Sequence, residues 1–558
     1  MKLSKIIFLL VLALALIFNG CETTDTGTGG DPGSGGDLEH SGTISKDETW
    51  TKDKLHIIDG YLTIENATLT IEPGSIVQFT ENSRIYVSEA GGLIADGSSE
   101  AIRFTGKVNQ NGYWYYIEFA ATANNADSKM INCTIEDGGG YADYSASLII
   151  NNNATVKNCT IKNSESSGVI INANAAPVFT DNTITGCDKS PIKAYFSSAN
   201  FIGYGTYTGN ALDYIDLDAN EISKNSTIKK QDVPYVIDGY ASIKNATLTV
   251  EAGSDIWFDA NSRLYIDENG GLIAKGTAQD MITFSGKIKQ KGYWYFIEFA
   301  SSAVSDNSVL DYCKIEYGGG YADCSANIEV YNNASITNCI IQNSVSNGII
   351  FHEDSKPVFN NNTVTLNELF PVEASMDNIT NMGVGNYTGN TSGHDYIFIN
   401  SGTYKSVGTL LKQTVPYLLD GYCTIENGTL TVEPGTEIDM HANARLYVST
   451  NGGFVADGST ETITISGYIK QKGYWYYIEF AGDADNANSK INNCILEYGG
   501  GYATFTGIIE INSGATVTNN TVQHSKGWGI TYYSSKNPVI TGNSFDDCDS
   551  GNLKDNDS

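Results

Sequence analysis

Three short stretches decide the fold of this chain: Asn132-Cys133-Thr134-Ile135, Asn158-Cys159-Thr160-Ile161 and Asn182-Thr183-Ile184. Their asparagines follow one another at steps of 26 and 24 residues. In each stretch polar and apolar residues alternate, which is typical of a short β-strand with one buried face. Strands that return about every 24 residues, with Gly and Asn turns between them, predict the stacked coils of a parallel β-helix.

A longer repeat surrounds these stretches. Gly112–Phe119 returns at Gly292–Phe299 and at Gly473–Phe480, and recurring motifs are offset by 179 to 182 residues. The offsets predict three tandem copies of about 180 residues. We place copy 1 at residues 44–222, copy 2 at 223–400, copy 3 at 401–548 and a polar tail at 549–558. Because the coil period continues through the copies, we expect one all-β solenoid of roughly 20 coils, not three separate domains.

The composition agrees with a β protein outside the cell. The chain has 64 acidic and 33 basic residues, which give a net charge of −31. A surface this negative repels phosphate groups, so nucleic acid is not expected as a partner. Only 17% of the residues are charged, whereas 58 are Gly and 34 are Tyr. That composition is too apolar for a disordered acidic chain and too rich in turn residues for a helical one.

The N-terminus has the pattern of a secretory signal. Lys2 and Lys5 precede an apolar run at residues 6–17, so we expect residues 1–20 to be a signal peptide. Gly20-Cys21 resembles the bacterial lipobox, which implies that Cys21 carries a lipid such as palmitate. Residues 21–43 have the composition of a flexible tether. We expect a lipoprotein of the outer membrane or cell surface, attached to the membrane through its anchor alone. An ordinary secreted protein with a chance cysteine is the alternative.

Several motifs together carry a family resemblance: Leu69–Gly74, Gly112–Trp114 with Ile117–Phe119, and Cys133–Glu136 with Gly138-Gly139. They resemble the right-handed parallel β-helix repeat proteins of bacterial surfaces, within the pectate-lyase-like superfamily. The resemblance covers nearly all of the chain after the tether and implies a single right-handed solenoid. It implies no one activity, because the same scaffold carries lyases, hydrolases and adhesins.

Aromatic residues beside the recurring Ile-Glu-Phe strand are the candidate ligand-binding residues. If the Ile and Phe of that strand point inward, alternation turns the residues between and before them outward. Aromatic faces stack on sugar rings and peptides, and a neighbouring carboxylate accepts hydrogen bonds from hydroxyl groups. The candidates are Trp114, Tyr116 and Glu118 in copy 1, Trp294, Phe296 and Glu298 in copy 2, and Trp475, Tyr477 and Glu479 in copy 3. Alternatively, each tryptophan only closes its coil.

The sequence shows few signs of catalysis. It lacks the Asn-Thr-Asp and Gly-His-Gly phrases of the polygalacturonases, and of its four arginines only Arg103 lies outside a repeated position. His352, within Phe351–Asp354, breaks the threefold pattern and could be a general base or metal ligand, but an exposed turn explains it equally well. Cys133 and Cys159, one coil apart, are expected to be buried free thiols. We expect no catalytic residue, no metal site and no cofactor.

These observations predict a lipid-anchored surface protein whose β-helix binds or adheres to glycan or protein ligands without being an enzyme. Two alternatives stay open. One is a polysaccharide lyase or glycoside hydrolase on the same scaffold, and the other is a purely structural surface protein.

Overall fold

The computed structural model describes residues 36–142, 145–321, 325–503 and 506–558. The predicted signal peptide, Cys21 and most of the predicted tether lie outside these ranges. Residues 37–558 form one compact unit. In the described ranges the chain consists of short strands, turns and 3₁₀ helices of three to six residues. None of those helices is long and apolar enough to cross a membrane.

The strands are three to eleven residues long for the most part, and they are numbered in chain order. Up to residue 222 they are β1 (Leu38–Ile44), β2 (Glu48–Trp50), β3 (Leu55–Glu65), β4 (Thr68–Ile71), β5 (Ile76–Phe79), β6 (Arg84–Ser88), β7 (Gly92–Asp96), β8 (Ile102–Gly106), β9 (Ile117–Phe119), β10 (Ser128–Ile131), β11 (Cys133–Glu136), β12 (Ala146–Ile150), β13 (Thr155–Lys157), β14 (Thr160–Lys162), β15 (Ser167–Ile171), β16 (Val178–Thr180), β17 (Asn182–Thr185), β18 (Ile192–Tyr195), β19 (Gly205–Thr206), β20 (Ile215–Asp218) and β21 (Glu221–Ile222). From there to residue 400 they are β22 (Ser226–Ile228), β23 (Tyr235–Asp238), β24 (Tyr240–Lys244), β25 (Thr247–Val250), β26 (Asp255–Phe258), β27 (Arg263–Asp267), β28 (Gly271–Lys275), β29 (Ile282–Gly286), β30 (Ile297–Phe299), β31 (Ser308–Asp311), β32 (Cys313–Glu316), β33 (Ala326–Val330), β34 (Ser335–Thr337), β35 (Ile340–Gln342), β36 (Asn347–Phe351), β37 (Val358–Asn360), β38 (Thr363–Thr365), β39 (Val372–Ser375) and β40 (Ile397–Asn400). The remaining strands are β41 (Gly402–Tyr404), β42 (Val407–Leu410), β43 (Tyr417–Leu419), β44 (Tyr422–Glu426), β45 (Thr429–Val432), β46 (Glu437–Met440), β47 (Arg445–Ser449), β48 (Gly453–Asp457), β49 (Ile463–Gly467), β50 (Ile478–Phe480), β51 (Ser489–Asn492), β52 (Cys494–Glu497), β53 (Gly507–Ile511), β54 (Thr516–Thr518), β55 (Thr521–Gln523), β56 (Trp528–Tyr532), β57 (Val539–Thr541), β58 (Ser544–Asp546) and β59 (Gly551–Asp555).

Each coil stacks its apolar side chains on those of the coil before it. Ile135 pairs in parallel with Ile161, and Ile161 with Ile184, and all three are fully buried. Ile, Val, Leu, Phe and Cys fill the inward positions of the other coils in the same way, so one apolar core runs through the unit. The solenoid has about 22 turns, close to the roughly 20 coils expected from the period. The prediction of an all-β parallel solenoid is confirmed.

Asparagines bend the chain and join neighbouring coils. Asn132 and Asn158 have φ angles of 49° and 53°, in the left-handed region that Asn tolerates better than most residues. Asn182 has another role. Its side-chain oxygen accepts a hydrogen bond from the backbone N–H of Cys159 (2.9 Å), and its side-chain nitrogen donates to the carbonyl of Val156 (3.0 Å). Buried asparagines therefore tie one coil to the backbone of the previous coil, where no water could satisfy those groups.

Ladders of paired strands form the faces of the solenoid, and we number three of them. Ladder 1 starts at the second half of β3 and continues through β6, β9, β12, β15, β18, β20, β23, β26, β29, β32, β35 and β38. Ladder 2 runs from β21 through β24, β27, β30, β33, β36, β39, β40, β43, β46, β49, β52 and β55 to β58. Ladder 3 runs from β41 through β44, β47, β50, β53 and β56 to β59.

A 3₁₀ helix interrupts the coils near the end of copy 1 and again near the end of copy 2, at Phe196–Phe201 and Met376–Asn378. We call these two places the seams. At the first seam the ladder β2–β4–β7–β10–β13–β16 ends and ladder 2 begins, while ladder 1 continues from β18 through β20 to β23. At the second seam ladder 3 begins, while ladder 2 continues from β39 through β40 to β43. At each seam, therefore, one ladder continues while other ladders end or begin.

Candidate functional site

The three candidate tryptophans lie in the core, so their predicted outward orientation is wrong. Trp114 is fully buried, stacks on Phe79 with 4.0 Å between ring centroids, and donates from Nε1 to the carbonyl of Glu136 (2.9 Å). Trp294 and Trp475 are buried with the equivalent hydrogen bonds. The physical reason is local: strand β9 begins only at Ile117, and the residues before it form a turn, where strand alternation does not hold.

The glycines of the recurring Gly-Gly-Gly motif make room for this tryptophan and its turn. A Cβ on Gly138 would lie 2.9 Å from Cζ2 of Trp114, and a Cβ on Gly140 would lie 2.0 Å from the carbonyl oxygen of Gly112. Contacts this short exclude any side chain at either position. The two repeated motifs therefore recur together because they pack against each other.

The residues two positions further on are also less accessible than the sequence suggested. Tyr116, Phe296 and Tyr477 are nearly buried, so their rings are not the exposed stacking faces that alternation predicted. The hydroxyl of Tyr116 accepts a hydrogen bond from Nη1 of Arg84, and Arg445 donates to the Tyr477 hydroxyl at 2.9 Å. These buried rings lie beneath the side chain of an arginine.

One exposed tyrosine lies against this arginine, and a second packs against the tyrosine rings beside it. Tyr61 and Tyr141 are each more than half exposed. The guanidinium carbon of Arg84 lies 4.3 Å from the ring centroid of Tyr61, a cation–π distance. Tyr141 meets Tyr115 edge-on, with 5.0 Å between centroids. We call this surface platform 1 and define it by Tyr61, Arg84, Tyr115, Tyr116 and Tyr141.

The same surface occurs in the other two copies. Platform 2 consists of Tyr240, Arg263, Tyr295, Phe296 and Tyr321, and platform 3 consists of Tyr422, Arg445, Tyr476, Tyr477 and Tyr502. The guanidinium lies 4.6 Å from the Tyr240 ring and 4.3 Å from the Tyr422 ring. The recurrence of Asp-Gly-Tyr and of Gly-Gly-Gly-Tyr-Ala was a signal for these tyrosines. Sequence reasoning used it only to count copies.

The arginines of the platforms are held mainly by aromatic faces. In all three the guanidinium Nε is buried without a hydrogen-bond partner within the described chain. Three of the four arginines of this acidic protein occupy these positions. Each platform therefore offers aromatic rings beside one local positive charge, on a protein whose net charge is negative.

The glutamates that the sequence singled out do face outward beside the platforms. Glu118 and Glu479 are partly buried and accept hydrogen bonds from Asn151 (2.8 Å) and Asn512 (2.9 Å). Burial raises the pKa of both carboxyl groups, opposed by the nearby arginine and asparagine. A carboxylate accepts hydrogen bonds from hydroxyl groups, which suits recognition of sugars.

In copies 2 and 3 a second carboxylate stands on the next coil. Glu298 pairs in the ladder with Glu329, and burial together with the charge of Glu329 raises the pKa of Glu298 to about 7. In copy 3, burial and the charge of Glu479 raise the pKa of Glu510 to about 7. Copy 1 has Ile149 at the position of the second carboxylate. Sequence reasoning missed these pairs because the ladder register was not known.

His352 belongs to the glutamate pair of copy 2. Its ring stacks on Tyr331 with 3.7 Å between centroids, and its Nε2 lies 3.5 Å from Oε2 of Glu329. Glu353 and Asp354, its sequence neighbours, are exposed turn residues. Across the four described ranges, no group of three or more His, Cys, Asp and Glu residues is arranged to hold a metal ion.

The coil-to-coil cysteines are buried thiols, as the sequence predicted. Cys133 and Cys159 are free and buried, and so are Cys313 and Cys339. The thiol of Cys133 lies 3.3 Å from the carbonyl oxygen of Ala95 on the coil before it. These side chains fill the core as small apolar groups with weak hydrogen bonds.

Parallel coils around one apolar core define the chain as a β-solenoid, and the platforms lie on its outer faces. Residues 117–270 match the family model described as the right handed beta helix region. The match covers less than half of the chain, and it agrees with the parallel β-solenoid that the coils form. Searches of the curated proteins and of the solved structures found no match.

Proposed function

We propose that the protein binds glycans through its three platforms and is held at the outer membrane or cell surface by a lipid on Cys21. The observation that carries the binding proposal is the exposure of tyrosine rings around an arginine in every copy. Flat rings stack on the apolar faces of sugars, while the arginine and the adjacent glutamate are a donor and an acceptor for hydroxyl groups. Binding of a protein ligand at the same rings is the other outcome to be tested.

The platform tyrosines are expected to carry the affinity. The triple variant Tyr61→Ala, Tyr240→Ala and Tyr422→Ala should weaken glycan binding about two- to twelvefold, since an oligosaccharide at any one platform loses one aromatic contact, which contributes about 0.5–1.5 kcal/mol. The measurement is a glycan array followed by calorimetry with the best oligosaccharide. Tyr204→Ala is the matched control, because Tyr204 is equally exposed but hydrogen-bonds to Glu251 outside the platforms. Unchanged binding in the triple variant would assign the affinity to another surface.

A glycoside hydrolase is the second candidate, favoured by the pair Glu298 and Glu329. Paired strands on neighbouring coils are about 4.8 Å apart, which is near the roughly 5–5.5 Å between the two carboxyl groups of retaining glycosidases. A carboxyl group whose pKa is raised to about 7 is suited to act as a general acid. Incubation with acidic and neutral polysaccharides, with and without calcium, tests this candidate. New reducing ends that disappear in Glu298→Gln would establish it, and unsaturated products would indicate a lyase.

The anchor has its own test. Cys21→Ser is expected to move the protein from the detergent phase to the aqueous phase on Triton X-114 partition, or to block processing of the signal peptide, because serine cannot form the thioether that holds the lipid. Cys548→Ser is the matched control, since Cys548 is a partly exposed thiol far from Cys21 in the sequence. If Cys21→Ser partitions and matures like the parent, the protein is secreted without an anchor.

A further inference from the structure

Each platform lies on a different ladder. Tyr61 and Arg84 of platform 1 are paired residues of ladder 1. Tyr240 and Arg263 of platform 2 are paired in ladder 2, and their equivalents in platform 3 are paired in ladder 3. The three platforms therefore do not form one line along one face of the solenoid.

The pairings give the direction of the step between copies. In copy 2, β23 belongs to ladder 1, and β24, the next strand along the same coil, belongs to ladder 2. In copy 3, the equivalent strands are β43, which belongs to ladder 2, and β44, which belongs to ladder 3. The platform of each copy therefore lies one face further along the path of the chain than the platform of the copy before it. Because a coil has three faces, two such steps place the three platforms on three different faces.

The axial spacing follows from the same ladders. Seven pairings separate β3 from β23 in ladder 1, and seven separate β24 from β43 in ladder 2. At about 4.8 Å per coil, successive platforms are about 34 Å apart along the axis. A single oligosaccharide on one face could reach only one platform.

We propose that the protein bridges separate glycan chains, one on each of up to three faces, and so acts as a cross-linker of a polysaccharide layer. This inference rests on the proposed glycan binding at the platforms. Platforms on one face would add their affinities on a flat surface, whereas platforms on different faces cannot touch that surface together. The geometry favours linking chains that approach from different sides.

Two measurements test the bridging, with the mature chain and two probes, yeast mannan and a soluble β-1,3-glucan. Single-platform variants carry the tyrosine-to-alanine change in the other two platforms. In the first measurement, polysaccharide-coated beads are loaded with protein and then offered the same polysaccharide labelled with fluorescein. The parent chain should capture the labelled chains, and single-platform variants should bind the beads but capture at least tenfold less.

The second measurement is dissociation from a planar film of the same polysaccharide. Parent and single-platform variants should leave the film at rates within about threefold of each other, since one face touches the film at a time. A parent that leaves a hundredfold more slowly, or that binds beads without capturing labelled chains, overturns the bridging but leaves glycan binding intact. Failure to bind either polysaccharide in bead or film form counts against both proposals.

Discussion

Replacing Trp294 by alanine is expected to destabilise the coils around it by ~3–5 kcal/mol, the cost of removing a buried aromatic side chain from a packed core. Trp294 is fully buried, stacks on Phe258 with 4.2 Å between centroids, and donates its indole N–H to the carbonyl of Glu316 at 2.9 Å. Alanine would leave both a cavity and an unpaired buried carbonyl. Because Tyr295 follows directly, the variant should also distort platform 2.

Hydrogen exchange is the appropriate measurement, because a long array of coils does not unfold in one step. Faster exchange should appear in the coils of copy 2 and fade with distance along the solenoid. Trp257→Ala is the matched control: Trp257 lies on the outside of the same copy, half-buried under Lys289 at 4.8 Å. The Trp257→Ala change should lower the free energy of unfolding by less than about 1 kcal/mol. Equal effects of the two changes would contradict a core role for Trp294.

Glutamine in place of Glu298 is expected to stabilise the protein at pH 8 and to change little near pH 4.5. Burial, and after it the charge of Glu329, raises the pKa of Glu298 from 4.5 to about 7 in the folded chain. The folded chain therefore holds this proton more tightly than the unfolded chain. The contribution of protonated Glu298 to stability is complete below pH 4.5 and is lost as the pH rises through about 7. Glutamine resembles the protonated acid at every pH.

The difference between variant and parent should reach ~1–3 kcal/mol at pH 8. It can be measured as the change in the midpoint of thermal unfolding at pH 4.5, 6 and 8. Glu118→Gln is the matched control, because Ile149 replaces the second carboxylate in copy 1, and its gain at high pH should be smaller. A Glu298→Gln variant that is destabilised at pH 8, or whose effect does not depend on pH, would show that the pKa of Glu298 is not raised in the folded chain.

The fold could be predicted from the sequence because its signal is periodic. The steps of 26 and 24 residues between asparagines measure the coil directly, and the inward Ile of each coil follows from alternation within a strand. The same alternation failed at Trp114, which lies in a turn, so the aromatic surface was expected at the wrong residues. Tyr61, Arg84 and Tyr141 come from separate coils, and only the ladder register brings them together.

The shift of the platform from one face to the next between copies was not predicted from the sequence, although the sequence contained a signal for it. About 180 residues at about 24 residues per coil is not a whole number of coils, so successive copies cannot begin on the same face. The glutamate pairs are different. They depend on which residue lies one coil above Glu298, and corner lengths that vary from coil to coil hide that register.

The seams have a mechanical consequence. Within a copy, three faces of paired strands connect each coil to the next. The first seam is crossed by ladder 1 and the second by ladder 2, with only the short pairing of β17 and β19 and single bridges such as Phe179 to Ile202 beside them. Tension along the axis is shared by fewer backbone hydrogen bonds at these two places than anywhere inside a copy. A rod pulled at both ends would therefore part first at Phe196–Phe201 and Met376–Asn378, extending in discrete steps while the blocks between the seams stay intact.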